Sequence, residues 1–313
     1  MVPVEKMAAR LLMRHNLKPP YDLEALVLNY ATVEQRYFPL DADGVTIGIG
    51  GEKIPQILIN SSFPETRRKF TLAHELGHII IPWHTGTIVS HLGKIEANGE
   101  YRRMESEANQ FAAELLLPSS WINEKENEFT SVENLIKSIL DDSGASRDAV
   151  LIKLFNTIKL PIICAELDIK GKVICYYSSG SSPTNVSLTG RKVEEEKVFS
   201  TSNAEERFKL GDRSYQAWIF SCDEFTESDP RPWRDVLNQI LAEINSKNLL
   251  PSINSILASK YNSNKEKSES KLCALALHAY DGRGGKFDKL IVHPLFPQYI
   301  IKRIRELVAK NKA

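Results

Sequence analysis

The stretch that most constrains this chain of 313 residues is Thr71–Ile80, which reads TLAHELGHII. It contains the pattern His-Glu-x-x-His, in which His74 and His78 are four positions apart. On an α-helix, positions i and i+4 lie on the same face, so both imidazoles can point at one metal ion. Glu75 is rotated by about 100° from His74, since a turn takes about 3.6 residues. The pattern therefore predicts a helical zinc site in which Glu75 takes a proton from water.

The residues around this motif also favour a helix. Upstream, Ser62–Glu65 (Ser-Phe-Pro-Glu) fits a capping box with a proline in the first turn. Downstream, only Gly77 interrupts the helical pattern before Pro82. Glycine in a helix costs about 1 kcal/mol relative to alanine, so we expect Gly77 to let another backbone pass close by. The alternative is a core helix whose two histidines are satisfied by ordinary hydrogen bonds.

A catalytic zinc site uses three protein ligands and keeps its fourth position for water. The best source of the third ligand is the segment Tyr101–Pro118, in which apolar residues recur at helical spacing. Glu105 and Glu107 lie on opposite flanks of that apolar stripe, about equally far from its centre by the helical angle. Periodicity alone does not choose between them.

These segments resemble the ImmA/IrrE family of metallopeptidases. The matching residues are Arg67–His78 (RRKFTLAHELGH) and Glu107–Pro118 (EANQFAAELLLP). The resemblance covers roughly residues 1–160. The two motifs together are specific, whereas either one alone is a weaker indication.

The resemblance also implies roles for individual residues. In the family, the glutamate that opens the second motif is read as the third ligand, and here this residue is Glu107. The implied ligand set is His74, His78 and Glu107, with Glu75 as the general base and Glu105 as the alternative ligand. The implied ion is Zn²⁺, and Mn²⁺ is also compatible because His/His/Glu sites accept several divalent ions.

Length and composition predict more than one domain. Apolar residues make up 42% of the chain and charged residues 26%, which is typical of a globular protein with a full core. We predict an α+β fold with a zincin-like metallopeptidase domain at residues 1–120, a helical subdomain at 121–160 and a mixed α/β domain at 161–313. Some ImmA/IrrE members carry a C-terminal sensor domain similar to GAF domains, so the resemblance implies a GAF-like sensor here.

Two segments are expected to flank the metal helix. Gly44–Ile49 and Lys53–Asn60 predict a β-hairpin, whose exposed edge is a candidate surface for an extended substrate to add as a strand. Residues 83–100 contain three glycines and predict a mobile loop. The candidates there for stabilising an oxyanion or shaping the pocket are His84, His91 and Tyr101.

Residues 124–157 are helical again. Ser131–Leu140 and Ser146–Asn156 flank a glycine turn, an arrangement compatible with a helix-turn-helix. The second of these helices has only Arg147 and Lys153 as basic residues. A helical hairpin that supports the peptidase domain is therefore the favoured interpretation.

The C-terminal half reads as strands followed by helices. The predicted strands are Ile162–Asp168, Lys172–Tyr177, Lys192–Ser200 and Tyr215–Ser221. The predicted helices are Trp233–Ile244, Pro251–Tyr261 and Lys267–Tyr280. This order of elements suits the implied sensor domain.

The net charge of zero conceals a basic C-terminal region. Residues 231–313 contain 15 lysines and arginines against 7 acidic residues, which makes the region a candidate for phosphate contacts. The candidate nucleic-acid-binding residues are Arg283, Lys286, Lys289, Lys302, Arg303 and Arg305. Tyr280 and Phe287 are candidates to stack on bases of a single strand. The alternative is a solvated basic surface with a glycine turn and core aromatics.

Composition indicates a cytoplasmic protein that does not associate with membranes. No segment approaches 18 uninterrupted apolar residues, and the first residues lack the features of a secretion signal. The four cysteines have no paired spacing, which favours a reducing compartment. A cysteine thiolate in the fourth zinc position would silence the site, and this idea is kept as an alternative.

Two classes of function remain after these observations. The first is a regulatory zinc endopeptidase; the resemblance implies that it cleaves a helix-turn-helix transcriptional repressor after DNA damage, mobile-element transfer or phage infection. Single-stranded DNA is the candidate activator. The second is a DNA-binding regulatory or interaction protein whose metal site is mainly structural. An unregulated peptidase acting as a toxin is a third interpretation.

Overall fold

A computed structural model gives the architecture of the chain. The residues it describes are 1–38, 42–90, 99–180, 182, 188–193, 199, 202–220, 227–267, 269–280, 283 and 285–312. The chain divides into two compact units. Residues 1–130 and 134–157 form the first unit, and residues 131–133 and 158–313 form the second. Most of the helical segment predicted as a separate subdomain thus lies in the same unit as the metal helix.

The first half of the chain combines one sheet with several helices. Its elements are α1 (Pro3–Arg14), α2 (Leu23–Val27), β1 (Thr32–Arg36), β2 (Gly44–Ile49), β3 (Gln56–Asn60), α3 (Glu65–Ile80), β4 (Gly86–Ser90), α4 (Gly99–Leu116), α5 (Ser119–Asn127), α6 (Val132–Ser143) and α7 (Arg147–Thr157). The strand order is β1-β3-β2-β4, with β1 parallel to β3 and β2 antiparallel to both β3 and β4. The predicted hairpin is therefore confirmed as β2 and β3, but its expected exposed edge is wrong, because β1 covers β3 and β4 covers β2.

The prediction of a loop at residues 83–100 is wrong for its central part. Gly86–Ser90 forms β4, which pairs with β2 in the register Val45↔Val89. The sequence of this segment shows little strand pattern, because the strand is stabilised by hydrogen bonds to β2, which is distant in sequence. Residues 91–98, which include His91, lie outside the described residues.

The start of α3 also differs from the prediction. The N-cap is Pro64, and no side chain caps the helix. Ser62 donates its hydroxyl to Asn60 Oδ1 at 2.9 Å instead of capping α3. The predicted capping box is wrong because the Ser62 side chain bonds to Asn60, the last residue of β3. The helix still extends over the whole motif, to Ile80.

The packing of α3 against α4 forms the core of the first unit. Leu76 of α3 and Ala108, Phe111 and Leu115 of α4 are all fully buried. Burial of a large apolar side chain contributes about 1.5–3 kcal/mol. Gly77 is the point of closest approach, where an added Cβ would lie 3.4 Å from the Cα of Ala108. The expectation that this glycine admits another backbone is confirmed.

The turn between α6 and α7 packs against the metal helix. Gly144 has a φ of +59°, which explains the glycine at this position. Lys69 of α3 donates to the carbonyl of Ser143 at 2.8 Å. Lys153 of α7 forms a 2.6 Å ion pair with the buried Glu114 of α4. These contacts favour the supporting role of the helical pair over a free DNA-reading helix.

The second unit contains its own sheet and a cluster of helices. Its elements are β5 (Ile162–Leu167), β6 (Val173–Ser178), β7 (Ala204–Leu210), β8 (Arg213–Ile219), α8 (Trp233–Glu243), α9 (Leu250–Asn262), α10 (Glu269–Leu277), α11 (Asp288–Ile291) and α12 (Phe296–Lys312). The sheet is antiparallel with the order β6-β5-β8-β7. The strand β7, which pairs with β8, was not predicted, because three consecutive charged residues (205–207) hide any strand alternation. Within the described residues, no helix is both long and apolar enough to traverse a bilayer.

One part of the second unit departs from the predicted strands. Lys192 forms only an isolated bridge with Lys172. Most of the rest of the predicted strand, residues 194–198 and 200, lies outside the described residues. The strands predicted near Ile162, Lys172 and Tyr215 are confirmed, with ends shifted by one or two residues. The GAF-like fold of this unit stays a prediction.

Replacing Gly77 with alanine is expected to destabilise the first unit. Alanine is favoured in helices by about 1 kcal/mol, but its Cβ would lie 3.0 Å from the buried Phe111 ring. Overpacking a filled core costs about 1–3 kcal/mol, so we expect a lower free energy of unfolding in urea. Gly99→Ala is the control, since an added Cβ there meets no atom within 4 Å. A Gly77→Ala protein as stable as wild type would contradict the close packing of α3 on α4.

Candidate metal centre

Two helices bring three metal-binding side chains to one point. His74 and His78 of α3 are fully buried, and their Nε2 atoms are 3.0 Å apart. Glu105 of α4 places Oε2 at 3.3 Å from His74 Nε2 and Oε1 at 3.3 Å from His78 Nε2. The ligand atoms of the three residues lie within 4.8 Å of one another. The i, i+4 spacing of the histidines thus brings both imidazoles to one point, as the sequence predicts.

Glu107 lies outside this cluster. Its carboxylate accepts hydrogen bonds from Trp83 Nε1 at 2.5 Å and Arg103 Nε at 2.9 Å, and it lies 3.2 Å from His84 Nε2. Two positions along a helix correspond to a rotation of about 200°, so Glu105 and Glu107 cannot face the same point. We therefore correct the assignment made by resemblance and move the role of candidate third ligand from Glu107 to Glu105.

Each histidine of the pair has a partner on its other ring nitrogen. His74 Nδ1 lies 2.9 Å from the side-chain oxygen of Asn109, and His78 Nδ1 lies 2.8 Å from His84 Nδ1. An amide oxygen only accepts, so His74 carries its proton on Nδ1 and presents a lone pair on Nε2. Such partners fix the orientation of metal-binding histidines.

The protonation states suit a cation. Burial lowers the pKa of His78 to about 4, so this imidazole is neutral. Burial raises the pKa of Glu105, but its hydrogen bonds to His74 and His78 outweigh that effect and bring the pKa to about 2. Burial lowers the pKa of His74, yet the hydrogen bond to Glu105 reverses the direction and raises it. Glu105 is therefore ionised beside a neutral His78, and a cation bound here would replace the proton that Glu105 favours on His74.

Glu75 is buried beside this centre with one oxygen unused. Thr46 of β2 donates its hydroxyl to Glu75 Oε2. Among the described residues, Glu75 Oε1 is a buried side-chain oxygen without a hydrogen bond, although the Ser90 hydroxyl of β4 lies close enough to help lower the pKa of this carboxyl. Burial raises the pKa of Glu75 above its ordinary value, against the opposing effect of His74. Two imidazole nitrogens, the Glu105 carboxylate and the Glu75 oxygen at one place fit a divalent cation and a water molecule.

The backbone of β2 leaves room for the Glu75 carboxylate at Gly44. A Cβ built on Gly44 would lie 2.7 Å from Glu75 Oε1 and 2.7 Å from the Thr71 methyl group. Only glycine fits here without displacing the carboxylate. The sequence predicts Gly44 in the hairpin but does not predict this contact, because nothing local relates β2 to the motif on α3.

The pocket residues named from sequence have different positions. Tyr101 donates its hydroxyl to the carbonyl of Val89 in β4, and burial raises its pKa to about 12. The phenol therefore stays protonated and can act as a donor. His84 is buried, and its Nδ1 lies 2.8 Å from His78 Nδ1. Asn109 was missed, although it lies four positions after Glu105 and so shares its helix face.

The residues proposed to bind nucleic acid divide into two sets. Lys302 pairs with Glu227, Arg305 pairs with Glu227 at 2.7 Å and Glu269 at 2.8 Å, and Arg303 pairs with Glu306 at 2.7 Å. These three are held in ion pairs within the second unit. The exposed set is Arg283, Lys286 and Lys289.

The two aromatic residues proposed to stack on bases are buried. Tyr280 is 1% exposed and Phe287 is 4% exposed. Both belong to the core cluster of the second unit, and their rings contact each other edge to face at 5.6 Å. The stacking prediction is wrong, because these aromatics fill the core that the alternative interpretation named.

Among the described residues, the candidate metal cluster consists of His74, His78 and Glu105 and includes no cysteine. Cys164 and Cys273 are buried in the second unit, and burial raises the pKa of both thiols. A protonated thiol is a poor metal ligand. Cys222 lies outside the described residues.

Comparison with known proteins identifies the region that carries this centre. Residues 27–155 match the family model of the IrrE N-terminal-like domain, Peptidase_M78. The match contains His74, Glu75, His78 and Glu105. The matched segment, less than half of the chain, resembles the ImmA/IrrE family. The resemblance inferred from the two sequence motifs is thus confirmed.

Individual relatives are more distant. The radiation response metalloprotease IrrE of Deinococcus radiodurans is 26% identical over 147 residues, which is 47% of this chain and 44% of the relative. The chain therefore matches less than half the length of that relative. A solved structure described as a Mycobacterium tuberculosis transcriptional regulator covers 70% of this chain and 76% of its own, with 14% identity and a TM-score of 0.40. The family match and the IrrE similarity support a metalloprotease.

Replacing Gly44 with alanine is expected to impair catalysis while metal binding remains. The new methyl group displaces the Glu75 carboxylate, and a misplacement of about 1 Å in a catalytic group can cost about 100-fold in rate. We would measure hydrolysis of a fluorogenic peptide library alongside zinc content. Gly180→Ala, where an added Cβ meets no atom within 4 Å, is the control. Full activity in Gly44→Ala would show that Glu75 tolerates displacement or has no catalytic role.

Proposed function

We propose that this protein is a zinc-dependent endopeptidase in which His74, His78 and Glu105 hold the ion and Glu75 is the general base. The observation that carries the proposal is the convergence of two buried histidines and a partly buried glutamate on one point beside an unpartnered carboxylate oxygen. The imidazole nitrogens and the carboxylate that face one another here all present lone pairs. Such groups repel one another unless a cation lies between them. A peptidase site explains both the cluster and the unused oxygen.

The residues divide the work of hydrolysis between them. When bound, zinc activates water and polarises the scissile carbonyl. Thr46 holds one oxygen of Glu75, which leaves Oε1 free to accept the proton of the attacking water. Glu75 then delivers that proton to the nitrogen of the leaving amine, so the peptide bond breaks with protons balanced. The raised pKa of Glu75 suits this exchange, since a base works best with a pKa near the working pH.

Tyr101 is the candidate to stabilise the oxyanion. Its phenol is protonated, lies near Glu105 and presently donates to the carbonyl of Val89 on the edge strand β4. A substrate strand pairing with β4 would take over that carbonyl. The released hydroxyl could then donate to the carbonyl oxygen under attack.

The proposed substrate is a helix-turn-helix transcriptional repressor, cleaved in response to DNA damage, a mobile element or phage. The family resemblance supports this choice, and the name of the Deinococcus relative, radiation response metalloprotease, links that protein to a radiation response. The second unit, with its own sheet and helical core, is the proposed sensor. Single-stranded DNA is the proposed signal, and the exposed Arg283, Lys286 and Lys289 are the basic residues left to contact it.

The second candidate is a DNA-binding regulatory or interaction protein with a mainly structural metal site. The complete burial of His74 and His78 favours it, since structural zinc sites are closed. The unpartnered Glu75 Oε1 argues against it, because a structural site has no need of a buried carboxylate without a partner. The two functions make different predictions for Glu75.

Glu75→Gln is expected to bind zinc and lose peptidase activity. The amide keeps the size of the side chain but cannot accept the proton, and removing a general base costs about 10²–10⁴-fold in rate. Zinc content is measured by elemental analysis, and cleavage by electrophoresis. Glu105→Gln should instead lose zinc. If the biological output survives in Glu75→Gln, the peptidase reading fails and the second candidate stands.

The proposed substrate and signal are tested with the repressor encoded beside the gene. The zinc-loaded protein is mixed with that repressor in the presence and absence of single-stranded DNA, with Glu75→Gln in parallel. Cleavage that requires both DNA and Glu75 is expected. Cleavage without DNA would reject the signal and keep the peptidase, whereas robust cleavage of unrelated proteins would favour the toxin interpretation.

A further inference from the structure

We infer that His84 and Glu107 form a hydrogen-bonded relay that positions the zinc ligand His78. Their role is thus to set the strength and geometry of metal binding without touching the ion. The inference rests on the proposed function, since it takes His78 to be a ligand. It also gives a role to Glu107, the glutamate that opens the second sequence motif. Glu107 and Glu105 lie on different faces of α4, so they do not bind the metal together.

The relay is a line of short contacts that ends on a carboxylate. His78 Nδ1 lies 2.8 Å from His84 Nδ1, and His84 Nε2 lies 3.2 Å from Glu107 Oε2. His84 is 1% exposed and lies in the turn that follows α3, where its backbone N–H donates to the carbonyl of Ile81 at 3.1 Å. Glu107 belongs to α4. The relay therefore connects the end of the metal helix to the helix that supplies Glu105.

With both imidazoles neutral, one arrangement of protons satisfies the two contacts of the relay. Glu107 is ionised and only accepts, so His84 carries its proton on Nε2. His84 then accepts at Nδ1, and His78 must donate its Nδ1 proton to it. His78 is left with a lone pair on Nε2, the atom that faces His74 and Glu105. The carboxylate thus selects the metal-binding tautomer of His78 through one intervening ring.

Glu107 is itself held in place from two further directions. Trp83 Nε1 donates to its Oε2 at 2.5 Å, and Arg103 Nε donates to its Oε1 at 2.9 Å. Charge-assisted hydrogen bonds of this kind are about twice as strong as neutral ones. The carboxylate is therefore a fixed anchor, and the ring of His84 cannot rotate without breaking a contact at each end.

The two zinc ligands on α3 are supported differently. His74 has a neutral partner, Asn109, at 2.9 Å. His78 has an imidazole backed by a carboxylate, which polarises the line of hydrogen bonds and makes the ligand nitrogen more basic. Loss of such outer partners typically costs about 10–100-fold in metal affinity. We expect that range for the relay.

The experiment compares zinc affinity among single variants of the full chain, by competition with a chromophoric chelator. His84→Phe removes the acceptor and should weaken zinc binding by about 10–100-fold. His84→Asn keeps an oxygen near the position of Nδ1, as Asn109 does for His74, and should bind more tightly than His84→Phe. Glu107→Gln keeps one acceptor oxygen and should lose less affinity than His84→Phe. Glu100→Gln, which removes a charge from an exposed residue of the same helix, is the matched control.

A spectroscopic measurement tests the relay without activity. In the zinc-loaded, ¹⁵N-labelled protein, two-bond ¹H–¹⁵N spectra should show His78 protonated at Nδ1 and His84 protonated at Nε2. His84 protonated at Nδ1 would overturn the proposal. The thermal midpoint of each metal-free variant is recorded as well, and a loss of affinity explained by unfolding would also overturn it.

The results separate this inference from the proposed function. Glu105→Gln is included as the direct ligand and should lose more zinc affinity than any relay variant. If it binds zinc as tightly as wild type, the metal site of the proposed function is wrong. If it loses zinc while His84→Phe binds as tightly as Glu100→Gln, the relay alone is wrong. Equal losses in His84→Phe and His84→Asn would likewise reject the acceptor role of His84.

Discussion

The close packing of α3 on α4 is the contact on which the rest of the first unit depends. Gly77 removes the side chain at the crossing, and Phe111 fills the space beside it. The helices can then approach closely enough for Glu105 to lie 3.3 Å from both histidine nitrogens. A larger residue at the crossing would separate the carboxylate from the imidazoles. The apolar contact and the candidate metal centre are therefore parts of one interface.

The polar groups at that interface are stable because nearly all have partners. An unpaired buried polar group costs about 1–3 kcal/mol, and Asn109, His84 and Thr46 each satisfy one side chain of the centre. The sheet contributes through β2, which supplies both Thr46 and the space at Gly44. The oxygens left over face the place where a cation and water fit. We infer that these oxygens have no hydrogen-bond partner in the protein because they serve the chemistry of the site.

The second unit shows how net charge can mislead. Its C-terminal region has a large excess of basic residues, yet Lys302, Arg303 and Arg305 on α12 each meet a glutamate within the same unit. Arg303 also lies over the Trp233 ring at 4.5 Å. Because each of these cations is paired with a carboxylate, little net positive charge remains to attract a phosphate. The basic residues available for a ligand are therefore fewer than composition suggests.

The sequence alone determined what local periodicity can determine. The spacing of His74 and His78 placed two imidazoles on one helix face, and the hairpin of β2 and β3 followed from alternation and turn residues. The choice between Glu105 and Glu107 needed the tertiary structure, since both lie equally far from the apolar stripe and only the rotation of α4 against α3 selects one. The strand β4, the contact of Gly44 with Glu75 and the ion pairs of α12 were likewise decided by partners distant in sequence. Such contacts depend on how elements pack, and helical or strand periodicity carries no information about that packing.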